Sequence, residues 1–233
     1  FRLLQLNILH ILNDGYQASW LLFLPFIAQD MHLNLTAVGL LGTIMTSFGF
    51  FLALPGSYLA TKVGGIRVLV ASVFFYGMGY LATGFAPTYI WLFPAFIIGG
   101  IGLGVFHSIG HALVAKWSTK ETRGKQMGTF TAMGEIGRIG LASLLTFIIV
   151  VIGWRSTAIL YAGIAIGTAL LFVFFLVRRK EQVAIQEKKV VSIPLKDIIT
   201  HKKFIFASMS SFFDAFASIP ILLFLPFLLL KRG

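Results

Sequence analysis

The sequence predicts an all-α fold, a polytopic membrane helical bundle, on three observations. Hydrophobic residues make up 58% of the 233 residues and charged ones only 12%, far from the balance of a soluble domain. The apolar residues fall in seven long runs, and the basic residues cluster in alternate connections between those runs. A bilayer core needs roughly 20 apolar residues per helix, whereas barrel strands alternate in polarity over about ten residues, so runs this long and uniform predict helices.

In order, the runs predict spans at 3–28, 36–60, 67–86, 89–114, 126–152, 155–177 and 204–230. The first carries His10, Asn13, Asp14 and Gln17 within an otherwise apolar stretch. The second and third are joined by a short basic connection containing Lys62, Gly64 and Arg67. The fourth holds Gly100 and Gly104, and the fifth Gly134, Gly137 and Gly140; small residues at such spacing let helix backbones approach closely, so these glycines predict packing faces. The sixth opens on Trp154 and Arg155, an expected interfacial anchor. A polar, basic connection interrupted by Pro194 follows. The seventh span then repeats a hexapeptide: Leu-Leu-Phe-Leu-Pro-Phe occurs at Leu21–Phe26 and again at Leu222–Phe227, each time downstream of an acid, Asp14 or Asp214.

Fifteen of the nineteen Lys and Arg residues lie on one side of the seven-span arrangement, including Lys62, Arg67, Lys116, Arg123 and the run from Arg178 to Lys203. By the positive-inside rule that side is cytoplasmic, which places the amino terminus inside and the protein in a plasma or inner membrane as a multi-pass chain. The same placement reads the net charge of +11 as anchoring to anionic lipid rather than as a nucleic-acid surface. With no cysteine, neither a disulfide framework nor a thiolate metal site is possible. The expected organisation is a six-helix half at 1–178, a cytoplasmic linker at 179–203, and at 204–233 the first helix of a second half, so the chain reads as part of a longer transporter with about five further spans.

This layout resembles the major facilitator superfamily, whose members have two six-helix halves joined by a cytoplasmic loop. The segment Ser57-Tyr-Leu-Ala-Thr61-Lys62-Val-Gly64-Gly-Ile-Arg67 is similar to the family's loop signature at Lys62, Gly64 and Arg67, but it has Thr61 at the acidic position and Ser57 at the leading glycine. Within the superfamily, three patterns resemble the fosmidomycin-resistance-like exporters. They are His10-Ile-Leu-Asn13-Asp14-Gly-Tyr16, the glycine-rich Gly100-Ile-Gly102-Leu-Gly104-Val-Phe106-His107, and Gly134-Glu135-Ile-Gly137-Arg138-Ile-Gly140. Ser108, Glu135 and Leu141 depart from the residues those patterns usually carry.

Ionisable groups in the hydrocarbon region are costly, so those present are expected to face the bundle interior and mark a pathway. His10 and Asp14, four apart, share a helix face, with Asn13, Tyr16 and Gln17 beside them. Burial disfavours charge on either group and mutual pairing favours it, so Asp14 is a candidate proton-coupling acid with His10 its partner. A static hydrogen bond and direct substrate contact are the alternatives. His107 and His111 are also four apart. As a zinc pair they lack an evident third ligand, so the expectation is no metal and no cofactor, and a substrate path or packing role instead. Glu135 and Arg138, three apart, either neutralise each other or form a switch that an anionic substrate opens. Asp214 mirrors Asp14 across the repeat and is expected at the same central cavity.

The predicted function is a secondary transporter moving a small molecule by alternating access, as a monomer among membrane lipids. The first expectation is proton-coupled antiport, with efflux of a drug-like or anionic compound and hence drug resistance. The rivals are a membrane-embedded metal-dependent enzyme using His107 and His111, and a non-transporting sensor of the same fold.

Overall fold

The computed structural model describes residues 2–178, 197 and 200–232, and every regular element among them is an α-helix. The helices are α1 (Arg2–Asp30), α2 (Leu35–Val63), α3 (Gly65–Gly84), α4 (Tyr89–Trp117), α5 (Arg123–Arg178) and α6 (Lys202–Arg232). The chain forms two compact units, Phe1–Glu181 and Gln182–Gly233. In the second unit the described regular element is α6, with Pro220 and Pro226 inside it, and it contains the second hexapeptide. Most of the expected linker, 179–203, lies outside the described residues.

Local chemistry sets the helix boundaries of the first unit. Asn34 caps α2, its side chain accepting from the Ala37 N–H at 2.8 Å. Gly64 alone separates α2 from α3 and has φ 97°. The helix α5 runs 56 residues with no intervening loop, yet at 1.5 Å per residue a straight rod of that length would be about 80 Å long, far beyond one bilayer. It is broken at Gly153 (φ 76°, ψ 163°), a left-handed backbone that glycine adopts without Cβ strain. The two arms, 123–152 and 154–178, correspond to the fifth and sixth predicted spans.

Short connections make successive helices antiparallel. One end of the unit carries Lys62, Arg67, Lys116 and Arg123 at helix termini, and the guanidinium of Arg2 sits 5.8 Å from the Trp117 ring. At the other end Arg155 donates to the Ala86 carbonyl at 2.7 Å and to Asp30 at 3.2 Å, tying α1, the α3–α4 turn and the second arm of α5 together. Trp154 is 8% exposed, with the guanidinium of Arg155 4.1 Å from its ring centroid.

The core is aromatic. Trp20, Tyr16, Phe23, Tyr76, Tyr80, Phe96 and Tyr161 are all essentially buried. The Trp20 ring fits only because Gly79 and Gly99 have no side chain, since a Cβ at either would come within 2.7 Å of it. Tyr80 donates to the Tyr16 carbonyl and Tyr161 to the Leu141 carbonyl, both at 2.6 Å, which satisfies two hydroxyls that burial would otherwise penalise. Large apolar side chains point outward: Phe50, Leu54 and Val150 are each more than 70% exposed. Apolar groups outside and polar ones within is the arrangement a lipid solvent favours and water does not. Among the described residues four helices, α2, α3, α4 and α5, are long and apolar enough to cross a membrane. Helix α1 is of similar length and carries the polar row His10, Asn13, Asp14 and Gln17.

Candidate functional site

Asp14 lies near the middle of α1 and is 3% exposed, and four side chains from three helices meet its carboxylate. Asn13 donates to Oδ1 at 2.9 Å. His10 Nε2 and His107 Nε2 stand 3.3 and 3.6 Å from the same oxygen. Arg138, from the middle of the first arm of α5, donates to Oδ2 at 3.1 Å and places its other terminal nitrogen 3.6 Å from Glu135. A carboxylate offers about four acceptor positions; hydrogen bonds from Asn13 and Arg138 take one on each oxygen, and the two histidine nitrogens stand close to Oδ1.

The surroundings hold His10 as firmly as the carboxylate. Its Nδ1–H donates to the Phe130 carbonyl at 2.7 Å, and its ring stacks on Phe130 at 3.9 Å and on Phe106 at 5.4 Å. Phe130 and Gly134 are four apart on α5 and face His10 and Asp14, four apart on α1. A Cβ on Gly134 would lie 2.7 Å from the His10 ring and 2.8 Å from Asp14 Oδ2, so that glycine leaves the space the polar centre fills.

The centre is closed on one side and open on the other. His10, Asn13 and Asp14 are buried, whereas the side chains of His107, Arg138 and Glu135 are 43%, 44% and 53% exposed. Buried Oδ1 of Asn13, Oε1 of Gln17 and Nε2 of His10 have no hydrogen-bond partner among the described residues. Two apolar grooves of about 370 Å³ open elsewhere, both bordered by Arg67 and Ala71, and neither includes a residue of this centre.

The remaining predicted residues are distributed as follows. His111 turns away from Asp14 and donates through Nδ1 to the His107 carbonyl at 2.7 Å, so it does not form a ligand pair with His107. No third ligand near His107 is evident in the sequence; the fold supplies two, His10 and Asp14, with one ligand atom from each of the three residues within 4.8 Å of the others. Tyr16 belongs to the aromatic core, stacked with Tyr76 at 6.3 Å. At the loop signature, Arg67 donates to the Val63 carbonyl at 3.1 Å and Lys62 lies over the Tyr58 ring at 4.6 Å. Gly104 faces the backbone of Gly49, Gly100 that of Met45 and Gly137 that of Ile11, while a Cβ at Gly140 would meet nothing within 4 Å among the described residues. The side chain of Asp214 lies outside the described residues. Phe130 was not singled out by the sequence, where it is one apolar residue in an apolar run.

A bundle of membrane-length helices, lipid-compatible outside and with a charged cluster at mid-span, defines a multi-pass membrane protein. The chain belongs to the Major Facilitator Superfamily, whose family profile matches residues 6–233. It is similar to a probable sulfoacetate transporter of Cupriavidus necator, 25% identical over 65% of this chain and 35% of the relative. It is likewise similar to a sugar transporter of Arabidopsis thaliana, 30% identical over 58% of this chain and 28% of the relative. A nitrite extrusion protein of Bacillus subtilis is 26% identical over 91% of this chain and 53% of its own length. The chain thus spans between about a quarter and a half of the curated relatives it matches. These names are those of transport proteins, not enzymes.

Proposed function

We propose that the chain is part of a secondary transporter that moves a small anionic molecule by alternating access, with Asp14 carrying the coupling proton. The observation that supports this reading is the sharing of Arg138 between two carboxylates, one buried and one exposed. An anion entering from the open side and binding the half-exposed guanidinium would draw it from Asp14, leaving a buried carboxylate whose charge is then best neutralised by a proton. Loss of the anion returns Arg138 to Asp14 and expels that proton. Sulfoacetate and nitrite in the names of two relatives agree with an anionic substrate.

Export of a drug-like or anionic compound, a cytoplasmic amino terminus and residence in the plasma or inner membrane keep their first reading; the expected antiport does not follow from this cycle, in which anion and proton are bound and released together, as in symport. The motif resemblance to fosmidomycin-resistance-like exporters supports export. On this reading 1–178 is one half, 179–203 the cytoplasmic linker and 204–233 the first helix of the other half, with Asp214 facing the same path as Asp14. Uptake of radiolabelled anions into proteoliposomes of the full-length protein under an imposed pH gradient tests the proposal. Asp14→Asn should abolish the response to the gradient; undiminished proton-driven flux in that variant would remove Asp14 from the coupling role.

A further inference from the structure

We propose that His10, Asp14 and His107 form a binding site for a borderline-soft divalent transition metal ion of the Zn²⁺ class. The inference stands on geometry and does not rest on the transport reading.

Zinc bonds to imidazole nitrogen and carboxylate oxygen are about 2.0–2.2 Å, so tetrahedral ligand atoms lie roughly 3.4 Å apart. The separations here are 3.3 Å from His10 Nε2 to Asp14 Oδ1 and 3.6 Å from His107 Nε2 to the same oxygen, with all three ligand atoms within 4.8 Å of one another, so the two imidazoles need close only slightly on an ion. Because the Phe130 carbonyl can only accept, His10 holds a proton on Nδ1, and Nε2 is the ring nitrogen left to face Asp14. That nitrogen is buried, has no hydrogen-bond partner among the described residues, and lies 3.3 Å from a carboxylate oxygen. A cation shared by that nitrogen and the carboxylate would give the nitrogen a partner and offset the buried negative charge.

The outer contacts are those a metal ligand needs. A ligating histidine usually donates its second nitrogen to a carbonyl or carboxylate, as His10 does to Phe130, and the carboxylate is oriented by Asn13 on one oxygen and Arg138 on the other. The half-exposed ring of His107 gives the ion a way in and has room to close onto it. Facing the site from α5 are Glu135 and Arg138, which largely cancel; on α4, His111 is one turn from His107 and donates Nδ1 to the His107 carbonyl. Two nitrogens and one oxygen select Zn²⁺, Co²⁺ or Ni²⁺ over the all-oxygen preference of Ca²⁺ and Mg²⁺. Three protein ligands leave a fourth position for water or an anion.

The test is titration of Co²⁺ alone into tag-free full-length protein in detergent, followed by the visible d–d bands of four-coordinate Co²⁺, with Zn²⁺ competition as the second readout. One saturable site is expected. His107→Ala, at an exposed position, and His10→Phe, which keeps the aromatic stack, should each weaken Co²⁺ binding at least about tenfold, since even outer-contact losses cost 10–100-fold. His111→Ala should stay within about twofold of the parent, well short of the outer-contact range. Absence of a saturable signal in the parent protein, unchanged binding in His107→Ala, or loss in His111→Ala instead would each overturn the site.

Discussion

Arg138 on α5 and Asp14 on α1, 124 residues apart, meet at 3.1 Å across the contact between those two helices. The carboxylate is buried and the guanidinium is half-exposed, so the two partners stand to lose unequally when separated. Arg138 freed from Asp14 still reaches water and Glu135. Asp14 without Arg138 keeps only Asn13 and two histidines, in a place where an unpaired charge is costly.

This asymmetry predicts different stabilities for the two single variants. Arg138→Ala should lower stability by about 1–2 kcal/mol, less than the full cost of breaking a buried pair because the arginine is solvent-screened. Asp14→Asn should cost under about 1 kcal/mol, since it removes the buried charge together with its need for partners. The double variant should resemble Asp14→Asn alone. Thermal unfolding of the four proteins in one detergent gives the cycle, and additive losses would show that the pair is not energetically coupled.

Two tyrosines in the aromatic core predict opposite responses to the same change. Tyr80 donates to the Tyr16 carbonyl at 2.6 Å, whereas the equally buried hydroxyl of Tyr76 has no hydrogen-bond partner among the described residues. Tyr80→Phe should therefore lower stability by about 1 kcal/mol, the net worth of a buried hydrogen bond. Tyr76→Phe should be neutral or stabilising, because it removes a hydroxyl whose desolvation is uncompensated. Paired melting curves decide this, and a loss for Tyr76→Phe as large as for Tyr80→Phe would mean that its hydroxyl has a partner.

Helix positions were legible in the sequence because lipid demands long apolar runs, and even the break at Gly153 fell between two predicted spans. Pairs within one helix, His10 with Asp14 and Glu135 with Arg138, were legible from spacing alone. Pairs between helices were not. Helices that are apolar all round carry little periodic signal of which face meets which neighbour, so neither Asp14–Arg138 nor Asp30–Arg155 was foreseen. Phe130 escaped notice because its carbonyl holds His10, and a carbonyl leaves no mark on residue type. Tyr16 illustrates the converse: it sits two residues from Asp14, about 200° around the helix, so it belongs to the opposite, aromatic face.

The approach of α1 to α5 that brings Asp14 within reach of Arg138 depends on Gly137, one residue before that arginine. A Cβ there would collide with the backbone of Ile11, and backbone cannot move aside as a flexible side chain can. Gly137→Ala should therefore force the helices apart and lower stability by about 1–3 kcal/mol, the usual range for overpacking. Gly163 is the control: it too is helical, but a Cβ there would meet nothing within 4 Å among the described residues, so Gly163→Ala should stabilise by up to about 1 kcal/mol through helix propensity. Because separation of α1 and α5 also pulls Arg138 from Asp14, the loss in Gly137→Ala should shrink when Arg138→Ala is already present. Melting temperatures of Gly137→Ala, Gly163→Ala and the Gly137→Ala/Arg138→Ala pair measure this, and equal effects of the two glycine substitutions would show that α1 and α5 are not in close backbone contact at Ile11.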